Sequence, residues 1–443
     1  MYKTKNIAIL FVALLSFHQA QANCSVNLID PVFALEQRRE LTRTAVSELS
    51  FSYFSFVDNP VGYETIVLMK EARDRGVKVR AIFDPFSSNI PAFVAKYLID
   101  AGVELKYYNP LALKNLTRAD RRSHEKLLIV DRKAVIMGGR NLNSAYFDLT
   151  FHDKFFFVDH EMIFRGEAAD QAQNYFDERW ESRWVDKLKL QKLSEANYST
   201  FVDKLNQFRS SLYQKSPQPY LDFKNREAMA VAAEAKLNQL VPDRCEETEF
   251  FHPDPDRRKR DFTLEHAFIK LIEESKKSIL IMNPYVIPTK SIYRALTEAV
   301  RDRGVEVTII TNSMRSNDLP LAHAAYLNDR KFLLRAGVQV YEFYDEKKTL
   351  HAKDALFDNE KALIGSFNLD PRSSHLNSEI FMVSSSTEVV QNILDFKESI
   401  SRFAFKIQPD GFPENYQELG LTRREVIKKK FNRITSKIFR GRL

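Results

Sequence analysis

An α/β protein built from two similar halves is what the sequence predicts, and three observations carry that expectation. Helical and strand-like stretches alternate over most of the chain, the pattern of sheets covered by helices. The stretches SHEKLLIVDRKAVIMGGRN (123–141) and LHAKDALFDNEKALIGSFN (350–368) share one frame, with an Asp seven residues after the His, a Gly fourteen after and an Asn seventeen after. The second His stands 227 residues beyond the first, which is duplication and not a solenoid repeat.

The chain opens with Lys3 and Lys5, an apolar run from Ile7 to Phe17, and Ala20 and Ala22 spaced as a cleavage site, so residues 1–22 are expected to be a secretory signal peptide. The run of about eleven residues is well short of the ~20 that a spanning helix needs. Retention as an uncleaved anchor is the alternative. The first domain (23–185) begins with helical periodicity from Val32 to Leu49 and a β-rich run, LSFSYFSFVD (49–58). An amphipathic helix around Glu64 to Arg75, Gly76 and the strand VKVRAIFD (77–84) follow, and ALTEAVRDRGVEVTIIT (295–311) repeats that unit in the second half. A second helix in each half closes on YLIDAGVELKYYNP (97–110) and FLLRAGVQVYEFY (332–344).

Each motif stretch then reads as two strands around a polar turn, Asp131-Arg132-Lys133 or Asp358-Asn359-Glu360. In an extended KLLIVD, His124 and Lys126 share a face while Asp131 points away toward the turn. Asp131 and Asp358 are therefore expected to tie down their hairpins, with Gly138 and Gly365 as further structural positions. Between the halves, residues 186–255 are polar, helical and broken by KSPQPYLDF, and read as a connector packed on the outside. The boundary is expected at HPDPDRRKRD (252–261), with a second domain from 256 to 410 and a tail from 411 to 443.

Composition narrows the function classes. Hydrophobic content of 44% and charge of 28% are those of a globular protein. The net charge of +7 is local: from Thr422 to Leu443 nine Lys or Arg stand against one Glu, leaving about −1 for everything before. A near-neutral body argues against nucleic acid as the partner, since backbone binding calls for a dispersed basic surface. In the tail, Ile427, Phe431, Ile434 and Ile438 recur at helical spacing on a basic helix, a pattern that lies on anionic membranes. The two cysteines, Cys24 and Cys245, allow one disulfide in an oxidising compartment or two thiols. No Cys/His cluster has zinc spacing and no Gly-rich phosphate loop is present, so neither metal nor cofactor is expected.

Two imidazoles and two ammonium groups brought together suit transfer of a phosphodiester. One neutral His attacks phosphorus and becomes a phosphohistidine while the other, protonated, donates to the leaving oxygen. Lys126 and Lys353, with the amides of Asn141 and Asn368, would neutralise charge on the non-bridging oxygens. Each His needs a partner on its other ring nitrogen, and acids stand downstream of each hairpin: Asp153 in FHDKFFFVD and Glu379 in NSEIFMVSS.

The doubled H-x-K-x4-D with G-G-R-N and G-S-F-N resembles the phospholipase D superfamily from about Phe56 to Ser384. MNPYVIP (282–288), TNSMRSND (311–318), AHAAY (322–326) and GSFNLDPRSSHLNSE (365–379) are similar to its bacterial cardiolipin synthase branch. The resemblance implies two α/β/α sandwich halves related by a pseudo-twofold, with both motifs at their interface and a phosphatidyl-histidine intermediate. It implies His124 as nucleophile and His351 as acid and then base, roles that the sequence leaves interchangeable. It also implies that Glu379 orients His124 and Asp153 orients His351, each across the interface. Two departures stand out: a cleavable signal in place of N-terminal membrane helices, and His152 where family members carry Arg. The expected reaction is phosphatidyl transfer between phospholipids, cardiolipin synthase-like, by an exported, periplasmic or envelope protein peripheral on a membrane. Hydrolysis to phosphatidic acid by the same residues and a nucleic-acid phosphodiesterase are the alternatives.

Overall fold

The computed structural model describes residues 25–88, 90–110, 118–149, 155–188, 194–215, 226–241, 247–257 and 259–414. The signal segment, Cys24, Cys245, Asp153 and the tail beyond 414 lie outside the described residues. The first half runs β1 (Ser25–Asn27), α1 (Pro31–Arg43), β2 (Glu48–Tyr53), α2 (Pro60–Asp74), β3 (Lys78–Phe83), α3 (Ala92–Asp100), β4 (Glu104–Tyr108), β5 (Lys126–Val130), β6 (Ala134–Gly138), β7 (Phe156–Val158), β8 (Glu161–Arg165), α4 (Glu167–Glu181) and β9 (Val185–Lys187). Two helices, α5 (Glu195–Lys215) and α6 (Arg226–Leu240), connect it to the second. There follow β10 (Thr248–Phe251), α7 (Thr263–Glu274), β11 (Ser278–Met282), α8 (Lys290–Arg303), β12 (Glu306–Asn312), α9 (Pro320–Ala336), β13 (Gln339–Phe343), β14 (Lys348–Leu350), β15 (Asp354–Phe357), β16 (Lys361–Gly365), α10 (Pro371–His375), β17 (Phe381–Ser384), α11 (Thr387–Ser401) and β18 (Ala404–Lys406).

The two eight-stranded sheets have the same order, β1-β8-β6-β5-β2-β3-β4-β9 and β10-β17-β16-β15-β11-β12-β13-β18. In each, helical crossovers join three parallel strands, and the motif hairpin adds antiparallel on one side. Encoded caps start α1 and α8: Asp30 accepts from the Phe33 amide at 2.8 Å ahead of Pro31, and Thr289 accepts from the Ile292 amide at 3.3 Å. α8 and α9 stop at the left-handed glycines Gly304 (φ 69°) and Gly337 (φ 94°).

Apolar side chains facing away from the interface form one core per half. A third core joins the sheets: Leu127, Met137 and Phe164 of one meet Met282, Ile364 and Met382 of the other, with α4 and α11 between them. Two facing sheets, each with helices on both sides, are what the duplicated sequence predicts.

Three boundaries differ from expectation. The helical periodicity read to Leu49 ends at Arg43, because Asp131 captures the amides of Val46, Ser47 and Glu48 at 2.8 Å each and turns the chain into β2. The second sheet begins at Thr248, inside the stretch assigned to the connector and before the expected boundary at 252–261. There β10 pairs with β17 and Phe250 enters the shared core. Residues 411–414 close a turn on the second half, with an isolated bridge between Ile407 and Pro413 and Arg330 donating to Gly411 O at 2.8 Å, so the tail starts later than 411. The connector does pack outside: Phe201, Leu205, Leu212 and Leu237 join the outer core of the first half.

Candidate active site

Each motif histidine sits just before the first strand of its hairpin and is fixed by backbone from the other half. The His124 amide donates to Ser378 O at 2.8 Å, and the His351 amide donates to Val158 O at 2.7 Å. β14, leading into His351, runs parallel to β7 of the first half, and Ser123 bridges Ser378 in the same sense. This strand exchange brings the two motifs to one cavity of about 510 Å³, lined by His124, Asn141, His351 and Asn368 among others.

The carboxylates cross over as well. His124 Nδ1 lies 2.9 Å from Glu379 Oε2 of the second half, and His351 Nδ1 lies 2.6 Å from Asp159 Oδ2 of the first. Glu379 is itself held by the Ser366 and Ser373 hydroxyls at 2.6 and 2.7 Å and by Asn377 Nδ2 at 3.1 Å. Asp159 accepts the His160 amide at 2.8 Å.

The partner of His351 is therefore Asp159, the last residue of FHDKFFFVD, and not the expected Asp153, which lies outside the described residues. The signal was in the strand register. Gly138 abuts the carbonyl of His160 as Gly365 abuts that of Ile380, so the residue before each carbonyl, Asp159 or Glu379, takes the same position. Counting from the histidines fails because the loop after the first hairpin is seven residues longer, 35 from His124 to Asp159 against 28 from His351 to Glu379.

Lys126 donates to His124 O at 2.5 Å and Lys353 to His351 O, with Lys353 Nζ also 2.8 Å from His351 Nδ1. Rings wall the imidazoles: Phe54 meets His124 edge-on at 5.0 Å, and the stacked pair Tyr146 and Phe157 meets His351 at 5.2 and 5.3 Å. Asn141 donates to the Tyr146 hydroxyl at 2.8 Å, while Oδ1 of Asn141 and of Asn368 is buried without a hydrogen-bond partner among the described residues.

Burial governs the electrostatics. Desolvation and the Lys353 ammonium push His351 down to about 3 against the pull of Asp159, and desolvation lowers His124 against Glu379. Lys126 falls to about 7 and Lys353 to about 8, each chiefly through lost hydration. Burial alone would raise the two carboxyls, but the facing imidazole and ammonium groups outweigh it, holding Glu379 at about 2 and Asp159 well below the usual carboxylate range. Both imidazoles are thus neutral near pH 7, with Nδ1–H on the carboxylate and Nε2 left to the cavity. The two imidazoles and two ammonium groups gain from an anion, and a phosphodiester placed beside them would favour the protonated forms again.

Asp131 and Asp358 stand away from the cavity. Asp358 accepts the amides of Lys276, Lys277 and Ser278 at 2.7 to 2.9 Å, the counterpart of Asp131 on Val46, Ser47 and Glu48. Sequence reasoning missed four further charged groups lining the cavity, Arg122, Asp318, Asp370 and Arg372. Asp370 is raised to about 7 by burial, against bonds from the Ser373 amide.

The profile of the family described as "Cardiolipin synthase, PLD-like domain" matches residues 39–180 and 268–400. Cardiolipin synthase C of Escherichia coli is 27% identical over 396 residues, covering 81% of each chain. Cardiolipin synthase 2 of Bacillus anthracis is 26% identical over 367 residues, 81% of this chain and 61% of that one. Among solved structures, the phosphatidylserine synthase of Haemophilus influenzae has a TM-score of 0.67 at 16% identity over 96% of both chains, a likeness of fold.

Proposed function

The chain belongs to the cardiolipin synthase, phospholipase D-like domain family of enzymes, and from that premise we propose that it transfers a phosphatidyl group from one phospholipid to a hydroxyl of another. The observation that carries this reading is the pair of histidines in one cavity, each held by a carboxylate of the opposite half and each with a depressed lysine on its own carbonyl. In the first step His124 Nε2 attacks phosphorus, the P–O bond to the headgroup breaks, and His351, protonated once the anionic phosphodiester lies beside it, gives its proton to the leaving oxygen. In the second step His351 takes the acceptor's hydroxyl proton, the new P–O bond forms, and the P–N bond to His124 breaks. Lys126, Lys353 and the two asparagine amides carry the charge on the non-bridging oxygens.

Lipid is favoured over nucleic acid by the cavity mouth as well as by the neutral body. Phe86, 71% exposed, and Leu319, 49% exposed, stand on the loops after β3 and β12, equivalent places in the two halves, and both line the cavity. Apolar side chains flanking a phosphate site suit acyl chains, not a polyanion backbone. We further propose an exported protein, peripheral on a membrane through its basic tail. N-terminal sequencing of the envelope-bound form should start after Ala22, and an intact Met1 would contradict this.

The test is to incubate the mature chain with phosphatidylglycerol, phosphatidylethanolamine and DNA, singly and in pairs, and identify products by mass spectrometry. Cardiolipin or a mixed relative is expected, abolished by His124→Ala and by His351→Ala. Phosphatidic acid alone would make the enzyme a hydrolase, and DNA fragments would overturn the lipid reading.

A further inference from the structure

The cavity is built for an anion, yet one of its walls carries a carboxylate that the phosphodiester chemistry does not use. Asp318 lines it from the loop between β12 and α9, and the Tyr285 hydroxyl, itself buried, donates to Asp318 at 2.8 Å (Oδ1) and 3.0 Å (Oδ2). The loop around it is fixed at several points. Asn317 Oδ1 accepts the Leu319 amide at 2.8 Å, the Ser313 amide donates to Phe343 O at 3.0 Å, and the Ser316 hydroxyl donates to Asp345 O at 2.8 Å. The carboxylate is therefore preorganised. Its loop follows Asn312, whose Nδ2 donates at 2.7 Å to the carbonyl of Leu350, the residue before His351.

The first half does not mirror this. After β3 the residue that matches Asn312 is Asp84, fully buried, which fixes the chain before His124 as Asn312 fixes it before His351: Asp84 accepts the Ser123 amide at 2.7 Å and Asn312 the Leu350 amide at 2.8 Å. From the rest of that loop Phe86 and Ser87 line the cavity, and none of its other described residues is acidic. The pseudo-twofold is broken so that an acid of this loop lines the cavity in the second half and, among the described residues, none does from the matching loop of the first. Asn368, a residue only 6% exposed, lines the same cavity, and its buried Oδ1 has no hydrogen-bond partner among the described residues.

We propose that Asp318, held by Tyr285, is the specificity-determining residue for the second substrate, receiving an acceptor alcohol whose headgroup carries further hydroxyl or ammonium donors and turning away one that carries an anion there. This rests on the transfer reading above. In the step concerned, the acceptor's reacting hydroxyl gives its proton to His351, its oxygen bonds to phosphorus, and the P–N bond to His124 breaks with its electron pair returning to the imidazole. Asp318 takes no part in that exchange of bonds. It holds the neighbouring donor of the same headgroup, so that the reacting hydroxyl is aimed at phosphorus and water is displaced.

The test uses the full mature chain, phosphatidylglycerol in mixed micelles as phosphatidyl donor, and four acceptors: ethanolamine, glycerol, 1-propanol and isethionate. Asp318→Asn should raise the KM for ethanolamine by about tenfold, the loss expected for one charge-assisted contact, and that for glycerol by roughly threefold or more. The KM for 1-propanol should stay within about twofold, and discrimination against isethionate should weaken, an interaction lost in binding and not in the chemical step. Tyr285→Phe should shift the same acceptors in the same order by less, and Asp318→Glu should restore ethanolamine in part. A larger shift for ethanolamine identifies an ammonium alcohol as the preferred headgroup and a larger shift for glycerol a polyol; either supports the proposal. Equal changes for all four acceptors, 1-propanol included, or no change in any, would overturn it. If the unaltered chain forms no phosphatidyl product from phosphatidylglycerol, it is the transfer reading that fails, and the acceptor assignment falls with it.

Discussion

Lys126 and Lys353, held near 7 and 8 by burial, make the charge of the unliganded site depend on pH just above neutrality. The two histidines are already neutral there, so they do not set that limit. Because the folded lysines lose their protons far below the usual lysine value, kcat/KM should fall as pH rises through about 7 to 8. The kcat profile should break at higher pH, since a bound phosphodiester raises both lysines. Superimposable kcat and kcat/KM profiles would contradict this. Asp159→Asn should lower kcat roughly 10³-fold by removing the acceptor that fixes the His351 tautomer. Asp153→Asn should stay within about fivefold, because Nδ1 of His351 already has its partner. The histidines, lysines and asparagines were legible because their offsets repeat between the halves. Asp159 was not, because a longer loop breaks the count and only the strand pairing restores it.

At the scale of the element, the motif aspartates earn their place as anchors between a hairpin and its neighbouring strand. Asp131 and Arg132 take φ of 51° and 58°, Asp358 and Asn359 of 57° and 53°, the left-handed pairs of a two-residue turn that aims the carboxylate at three successive amides. Asp358→Ala leaves those amides of Lys276, Lys277 and Ser278 without it and should cost about 2–3 kcal/mol in denaturant unfolding. The folded fraction should keep its KM, and a lost activity at unchanged stability would mean that Asp358 acts in the site. Sequence spacing alone showed that this Asp points away from His and Lys. It could not show that the amides belong to the entry of β2 or β11, some eighty residues earlier in the chain. The same long-range capture explains why helical periodicity after Val32 overran: local pattern continues to Leu49, but Asp131 ends the run from a distance.

For the whole molecule, duplication was legible and the interface only partly. Apolar residues facing the partner sheet, such as Met137 and Ile364, look in sequence like those facing the outer helices, so which side of each sheet meets the other could not be read. The structure joins the halves by a common core, by strand exchange at β7 and β14, and by carboxylates given across the interface. Neither half holds a complete histidine couple alone. The central claim is that these two couples act in sequence on one phosphorus, through a covalent intermediate. It is tested most directly by the stereochemical course of transfer from phosphatidylglycerol made chiral at phosphorus with sulfur. Two displacements, one by histidine and one by the acceptor, predict net retention of configuration; net inversion would show a single direct displacement and contradict the account.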